Sequence, residues 1–324
     1  MYETHSDIDS KAFHGGSSEG FARLGMESSG AQATLDRIGS AVPIRIYMLG
    51  RFSVANAGPP VSLNGNGNSN AKTKKRPLAL LKALIAFGGR GVAYSQLAES
   101  LWPDSEGDLA VRNLTVTLHR LRHLLRSNAA VLQHDGKLTL NEDICWVDVW
   151  SFERSVNDGL LRLNESASGD SAEPQLRAAL SLYSGHFLSR ESEESWMLTA
   201  RLRLKTKFER LVTALSRHLE NRERFSDAVD VCLQALERDP LNEPIYRRLM
   251  SCYLKAGEFA SVLRTYACCR EALANELSCP PSLETENIYL ESVRAATELS
   301  GAQAARRAHL SGVGRGTAMN RPVA

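Results

Sequence analysis

Residues 109–126, LAVRNLTVTLHRLRHLLR, constrain this chain more than any other stretch, because their two faces are chemically opposite. Val111, Leu114, Leu118, Leu121 and Leu125 recur at alternating steps of three and four, the period of a buried helical stripe. At about 100° per residue, Arg112, Asn113, Val116, His119, Arg120 and His123 fall on the other side. No carboxylate shares that side. Its guanidinium, amide and imidazole groups suit base edges and phosphates, and Val116 suits a thymine methyl. Thr117 and Arg122 border it and join the candidate set, Arg122 as a flank residue facing phosphate.

The flanking sequence fits the rest of a winged helix. Residues 77–87 read as a short apolar helix that opens on Pro77 and stops at Gly88-Gly89. Ser95 is the expected N-cap of a second helix over 96–101, ending at Trp102-Pro103. Residues 104–108 form a polar, acidic turn into the third, basic helix. Residues 131–133 and 138–140 then alternate around His134-Asp135-Gly136-Lys137, a hairpin whose Asp-Gly is a strong turn signal. Lys137 stands where a wing would meet phosphate.

Global charge says little, at +2 for 324 residues, but its distribution is informative. Between Lys72 and Arg126 ten Lys or Arg face four acids, a net of +6. From Asp148 to Leu299, 19 basic residues face 24 acidic ones, a net of −5. A basic segment beside an acidic one is the layout of a nucleic-acid-binding domain joined to a protein-binding one. The densest cluster, KTKKR at 72–76, is read as a loop that offers Lys74, Lys75 and Arg76 to phosphate or simply to solvent.

Ahead of this lies an expected small sheet. Residues 44–54 alternate as a strand, 61–63 are its expected partner, and 64–70 (NGNGNSN) form a loop. Residues 1–42 read as a disordered leader and 300–324 as a disordered tail. Six cysteines show no CxxC spacing and sit mostly in apolar-periodic segments, which fits reduced, buried thiols in a cytoplasmic protein. No apolar run approaches the ~18 residues that span a membrane.

The second half is helical and repeats itself. A lag of 34 residues aligns Leu215 with Leu249, Leu219 with Tyr253, Phe225 with Phe259, and Ala228 with Val262. Thirty-four is the period of tetratricopeptide hairpins. Units are expected at 206–238 and 243–276, separated by Asp239-Pro240, with helices at 175–183, 195–204 and 283–299 closing the stack. Trp196, Phe208, Phe225, Tyr246 and Phe259 fit its core. The fold class is therefore mainly α with small β elements. An amino-terminal winged helix-turn-helix domain (43–147) precedes an all-α, TPR-like repeat domain (148–299). The polar stretch at 163–173 leads to the further expectation that residues 43–150 fold and bind DNA alone.

Several motifs together resemble a known family. They are Leu97-Ala98-Glu99-Ser100-Leu101-Trp102-Pro103-Asp104; Ala110 with Arg112-Asn113; Leu118-His119-Arg120-Leu121-Arg122; and Trp146-Val147-Asp148-Val149-Trp150 with Phe152-Glu153. Gly185, Phe187-Leu188, Trp196, Arg201 and Cys269-Arg270-Glu271-Ala272-Leu273 with Glu276-Leu277 continue the likeness. The chain is similar, from about Ile44 to Val293, to the SARP-like bacterial activators, which join an OmpR-type winged helix to a bacterial transcriptional activator domain (BTAD). The resemblance implies a sequence-specific DNA-binding activator. Its partners would be double-stranded promoter DNA, RNA polymerase through the helical domain, and a second copy as homodimer. It would be cytoplasmic and nucleoid-associated. No receiver segment lies ahead of Ile44 in this sequence, and no GxxxxGK[ST] loop occurs, so neither module supplies a switch.

Enzyme chemistry has no foothold, since no HExxH, GxSxG or dinucleotide fingerprint is present. No cofactor and no metal is expected; His119 and His123 share a face but have no acidic or thiol neighbour on it. The alternative reading is a TPR-type scaffold or adaptor whose winged helix contacts protein instead of DNA.

Overall fold

The computed structural model describes residues 43–56, 71–165 and 171–313, with only the backbone for 71–73, 299–300 and 302–313. Strand β1 (Ile44–Tyr47) points Ile44 and Ile46 into the core and pairs on both edges. It runs antiparallel to β2 (Ser53–Asn56) and parallel to β6 (Cys145–Val147). The expected single strand over 44–54 breaks instead at Gly50 and folds back as its own partner; 61–63 lie outside the described residues.

Helix α1 (Ala71–Ala86) starts earlier than the sequence reading placed it, so KTKKR opens a helix and is not a loop. Lysine and arginine are good helix formers; Pro77 inside the helix lacks an N–H for the preceding turn and crowds the carbonyl four residues back. The helix ends at Gly88-Gly89 as expected, with the Gly89 N–H on the Leu84 carbonyl at 2.8 Å. Helix α2 (Tyr94–Leu101) contains Ser95 instead of being capped by it. The Tyr94 N–H donates to the Gly136 carbonyl at 2.8 Å, so the wing satisfies one of the orphan donors at the start of the helix.

Helix α3 (Gly107–Leu124) buries Ala110, Leu114, Thr117, Leu118 and Leu121 against α1 and α2. Val111, expected in that stripe, is 41% exposed. The wing follows: β4 (Val131–His134) and β5 (Lys137–Leu140) pair antiparallel, closing on His134 and Lys137. Asp135 and Gly136 both have left-handed φ, +48° and +68°, as a two-residue hairpin turn of matching twist requires. On the other edge of β5 lies β3 (Val92–Ala93), giving the order β3-β5-β4.

The helical half continues without a break. Helices α4 (Asp148–Glu165) and α5 (Glu173–Leu182) form one hairpin, in close contact at Gly159, where a Cβ would lie 2.5 Å from Leu176 Cδ2. Helices α6 (Met197–Glu220) and α7 (Phe225–Arg238) form the next; α8 (Glu243–Lys255) and α9 (Phe259–Leu277) form the third. The helices expected separately at 195–204 and from 206 are one, the 24-residue α6.

The 34-residue repeat extends to the turn geometry. Glu223 and Gly257 both have left-handed φ, and the next residues, Arg224 and Glu258, donate N–H to Leu219 and Tyr253 at 3.0 and 2.8 Å. Ala228 and Val262 are both fully buried. Helix α10 (Leu283–Val313) caps the stack on α8 and α9, with Tyr289 stacked on Tyr266. It runs past 299, where a disordered tail had been expected, because the alanine-rich sequence beyond Ser300 has high helix propensity. All six cysteines are free; Cys145, Cys232, Cys252 and Cys269 are buried, Cys268 and Cys279 exposed.

One buried core runs through both halves, from Ile44 past Phe152 and Phe187 to Cys252. The expected boundary at 147/148 falls in its middle. There Asp148, 2% exposed, accepts the backbone N–H groups of Met48, Leu49 and Val149 at 2.7–2.9 Å. Burial pushes its carboxyl up to about 7, against the pull of those donors.

Candidate nucleic-acid interface

Helix α3 is held by its leucines against α1 and α2, which fixes what its other side presents. Arg112, Thr115, Val116, His119, Arg120 and His123 are exposed, and Asn113 is half-buried. Thr115, which the sequence reading passed over, bonds back to the Val111 carbonyl at 3.0 Å. Arg112, His119, Arg120 and His123 make no hydrogen bond or ion pair with the described residues. Their donors are available to a partner. Burial of Ala110 and Thr117, with Val111 outside, turns the core stripe. The centre of the exposed face therefore lies nearer Arg112 and His123 than Arg120.

Three of the expected contacts are placed otherwise. Thr117 is 5% exposed and belongs to the core, so it is removed from the interface. Arg122 directs Nε and Nη2 at the Val131 carbonyl, at 3.0 and 2.7 Å, spanning from α3 to the base of the wing. Arg76 donates from Nη1 to the Leu101 carbonyl at 2.8 Å and lies 5.8 Å over the Trp102 ring, clamping α1 to the end of α2. Both guanidiniums have internal carbonyl partners that charge patterning could not reveal.

Lys74 is half-buried and Lys75 exposed, both on the first turns of α1. Lys137 is exposed at the start of β5, beside the wing turn, where His134 and Asp135 pair at 2.9 Å. Arg126, exposed with a left-handed φ of +55° just beyond α3, adds a cation the sequence reading had not selected. Arg90, also basic and near the wing, is committed to Glu142 and to the face of Trp150. Among the described residues no three His, Cys, Asp or Glu converge as a metal site, and no helix is long and apolar enough to cross a membrane.

Residues 147–291 match the model of the bacterial transcriptional activator domain. Regulatory protein DnrI of Streptomyces peucetius is 24% identical over 252 residues, which cover 73% of this chain and 90% of that protein. The chain is thus similar to the SARP-like bacterial transcriptional activators. This chain also shares its fold with EmbR of Mycobacterium tuberculosis, solved in complex with a low-affinity phosphopeptide. The TM-score is 0.56 at 18% identity, over 83% of this chain and 70% of that one. The likeness is one of fold, a winged helix ahead of TPR-like hairpins. The activator-domain match over 147–291 and the likeness to DnrI support a transcriptional regulator.

Proposed function

We propose that this regulator binds promoter DNA sequence-specifically and activates transcription. Helix α3 lies in the major groove with Arg112, Asn113, Val116, His119, Arg120 and His123 toward the bases. The wing crosses the neighbouring backbone or minor groove, with Lys137 at phosphate. Lys74 and Lys75 supply further charge to the backbone. The helical half contacts protein: RNA polymerase, and a second copy on an adjacent half-site. The observation that carries this reading is the solvent face of α3, which from Arg112 onward holds cations, amide and imidazoles with no acid, and whose Arg112 and Arg120 have no partner among the described residues.

Binding to random-sequence duplex DNA, followed by anisotropy between 50 and 200 mM salt, tests it. The three phosphate-facing cations, Lys74, Lys75 and Lys137, predict a log–log slope of about −3. A slope near zero, or no binding at the lowest salt, would leave the winged helix as a protein-contact module.

A further inference from the structure

The wing is a three-stranded sheet whose strands are not equally secured. Strand β5, which carries Lys137, is tied on one edge to the two-residue β3 and on the other to β4 along its full length, from Val131 opposite Leu140 to His134 opposite Lys137, with the Tyr94 N–H on the Gly136 carbonyl at the turn. Strand β4 is the outer strand. Its link to α3 is the short turn Asn128–Ala130 and the Arg122 side chain, which delivers two N–H groups to the Val131 carbonyl. Val131 is the first residue of β4 and fully buried. A guanidinium that forks onto one carbonyl fixes direction as well as distance, which an ammonium on a flexible stem does not.

The geometry points to Arg122 as a positioning residue: it sets the wing against α3, so that Lys137 meets phosphate while α3 occupies the major groove. The inference rests on the DNA-binding reading above and adds a coupling between the two contact regions. Arg122 itself touches no nucleic acid in this arrangement. Its effect on binding passes through the wing.

A double-mutant cycle on the full-length chain decides between this role and a direct phosphate contact. The probe is the highest-affinity duplex that the wild-type chain selects from a random pool. Arg122→Ala and Lys137→Ala are each expected to weaken binding about 3–10-fold and to lower the salt slope by about one. The double variant should be no weaker than Arg122→Ala alone, with the slope still lowered by one and not two. Lys75→Ala, on α1, should add its full effect in either background. Arg122→Lys keeps the charge but not the fork, so it should fall between wild type and Arg122→Ala, and it carries the same cycle if the alanine variant is unfolded by circular dichroism. Additive losses for Arg122 and Lys137, a slope reduced by two in the double variant, or full affinity in Arg122→Lys would overturn the positioning role while leaving DNA binding intact. A selection that enriches no duplex would overturn the DNA reading itself, and this inference with it.

Discussion

Asp148→Ala is expected to cost about 3 kcal/mol or more, because it strips an acceptor from three backbone N–H groups at the junction of the two halves. Asp148→Asn keeps one oxygen and should cost less. The asparagine variant also isolates a pH effect. The folded Asp148 carboxyl titrates at about 7, raised by burial, whereas in the unfolded chain an aspartate ionises near about 4. Between those values the folded protein holds a proton that the unfolded chain releases. Its contribution to stability therefore falls as pH rises through that window. From pH 5 to pH 8 the loss amounts to about 2–3 kcal/mol. Asp239 works in the opposite sense: burial opposes ionisation, but hydrogen bonds from His186 and Asn242 bring its carboxyl down to about 2. Its contribution is lost only as pH falls below about 4, outside this window. Urea denaturation at pH 5 and pH 8 should show wild type declining more steeply than Asp148→Asn. Parallel declines would mean that Asp148 is ionised throughout.

A fragment of residues 43–150 is expected to be largely unfolded, contrary to the autonomy that the sequence suggested for it. The cut removes the segment around 184–188 that pairs with Met48, Leu49 and Gly50. Leu188 N–H donates to Met48, Gly50 N–H to His186, and Ser184 Oγ to the Leu49 carbonyl, at 2.6–2.9 Å. Phe152 and Phe187, each at most 1% exposed, leave the core with it. Lys82 is left buried over the Phe52 ring without Glu191, its partner at 2.8 Å. Each lost aromatic or branched side chain contributes about 1.5–3 kcal/mol, so a handful is comparable to the 5–15 kcal/mol typical of a whole domain. Amide dispersion in a two-dimensional NMR spectrum reads the outcome. A dispersed spectrum and a cooperative melt near that of the full chain would show that the amino-terminal half stands alone.

Periodicity made α3 and the hairpin stack legible, because leucines at steps of three and four, and a 34-residue recurrence, are properties of local sequence. The rotation of α3 was legible too, though missed: Ala110, Leu114, Thr117 and Leu121 form a helical stripe as regular as the leucines alone. Small and neutral side chains carry little hydrophobic signal, so Thr117 passed for an interface residue. Strand β6 could not be read. Three residues are too few to alternate visibly, and its partner β1 lies about 100 residues earlier. Nor could the guanidiniums of Arg76 and Arg122 be assigned, since their carbonyl partners are set by packing across elements. Composition separated the exposed cations of α3 from its core; only geometry separated free cations from engaged ones.

The central claim is that the solvent face of α3 reads bases. Arg112→Ala and Arg120→Ala, titrated on the selected duplex and on a scrambled duplex at several salt concentrations, test it most directly. Each should lose about 1–3 kcal/mol on the selected duplex and less on the scrambled one, so that discrimination narrows. Lys75→Ala should weaken both duplexes alike and lower the salt slope by about one. If both arginine variants bind more weakly but discriminate as well as wild type, these side chains supply charge and not sequence reading, and the account of α3 is wrong.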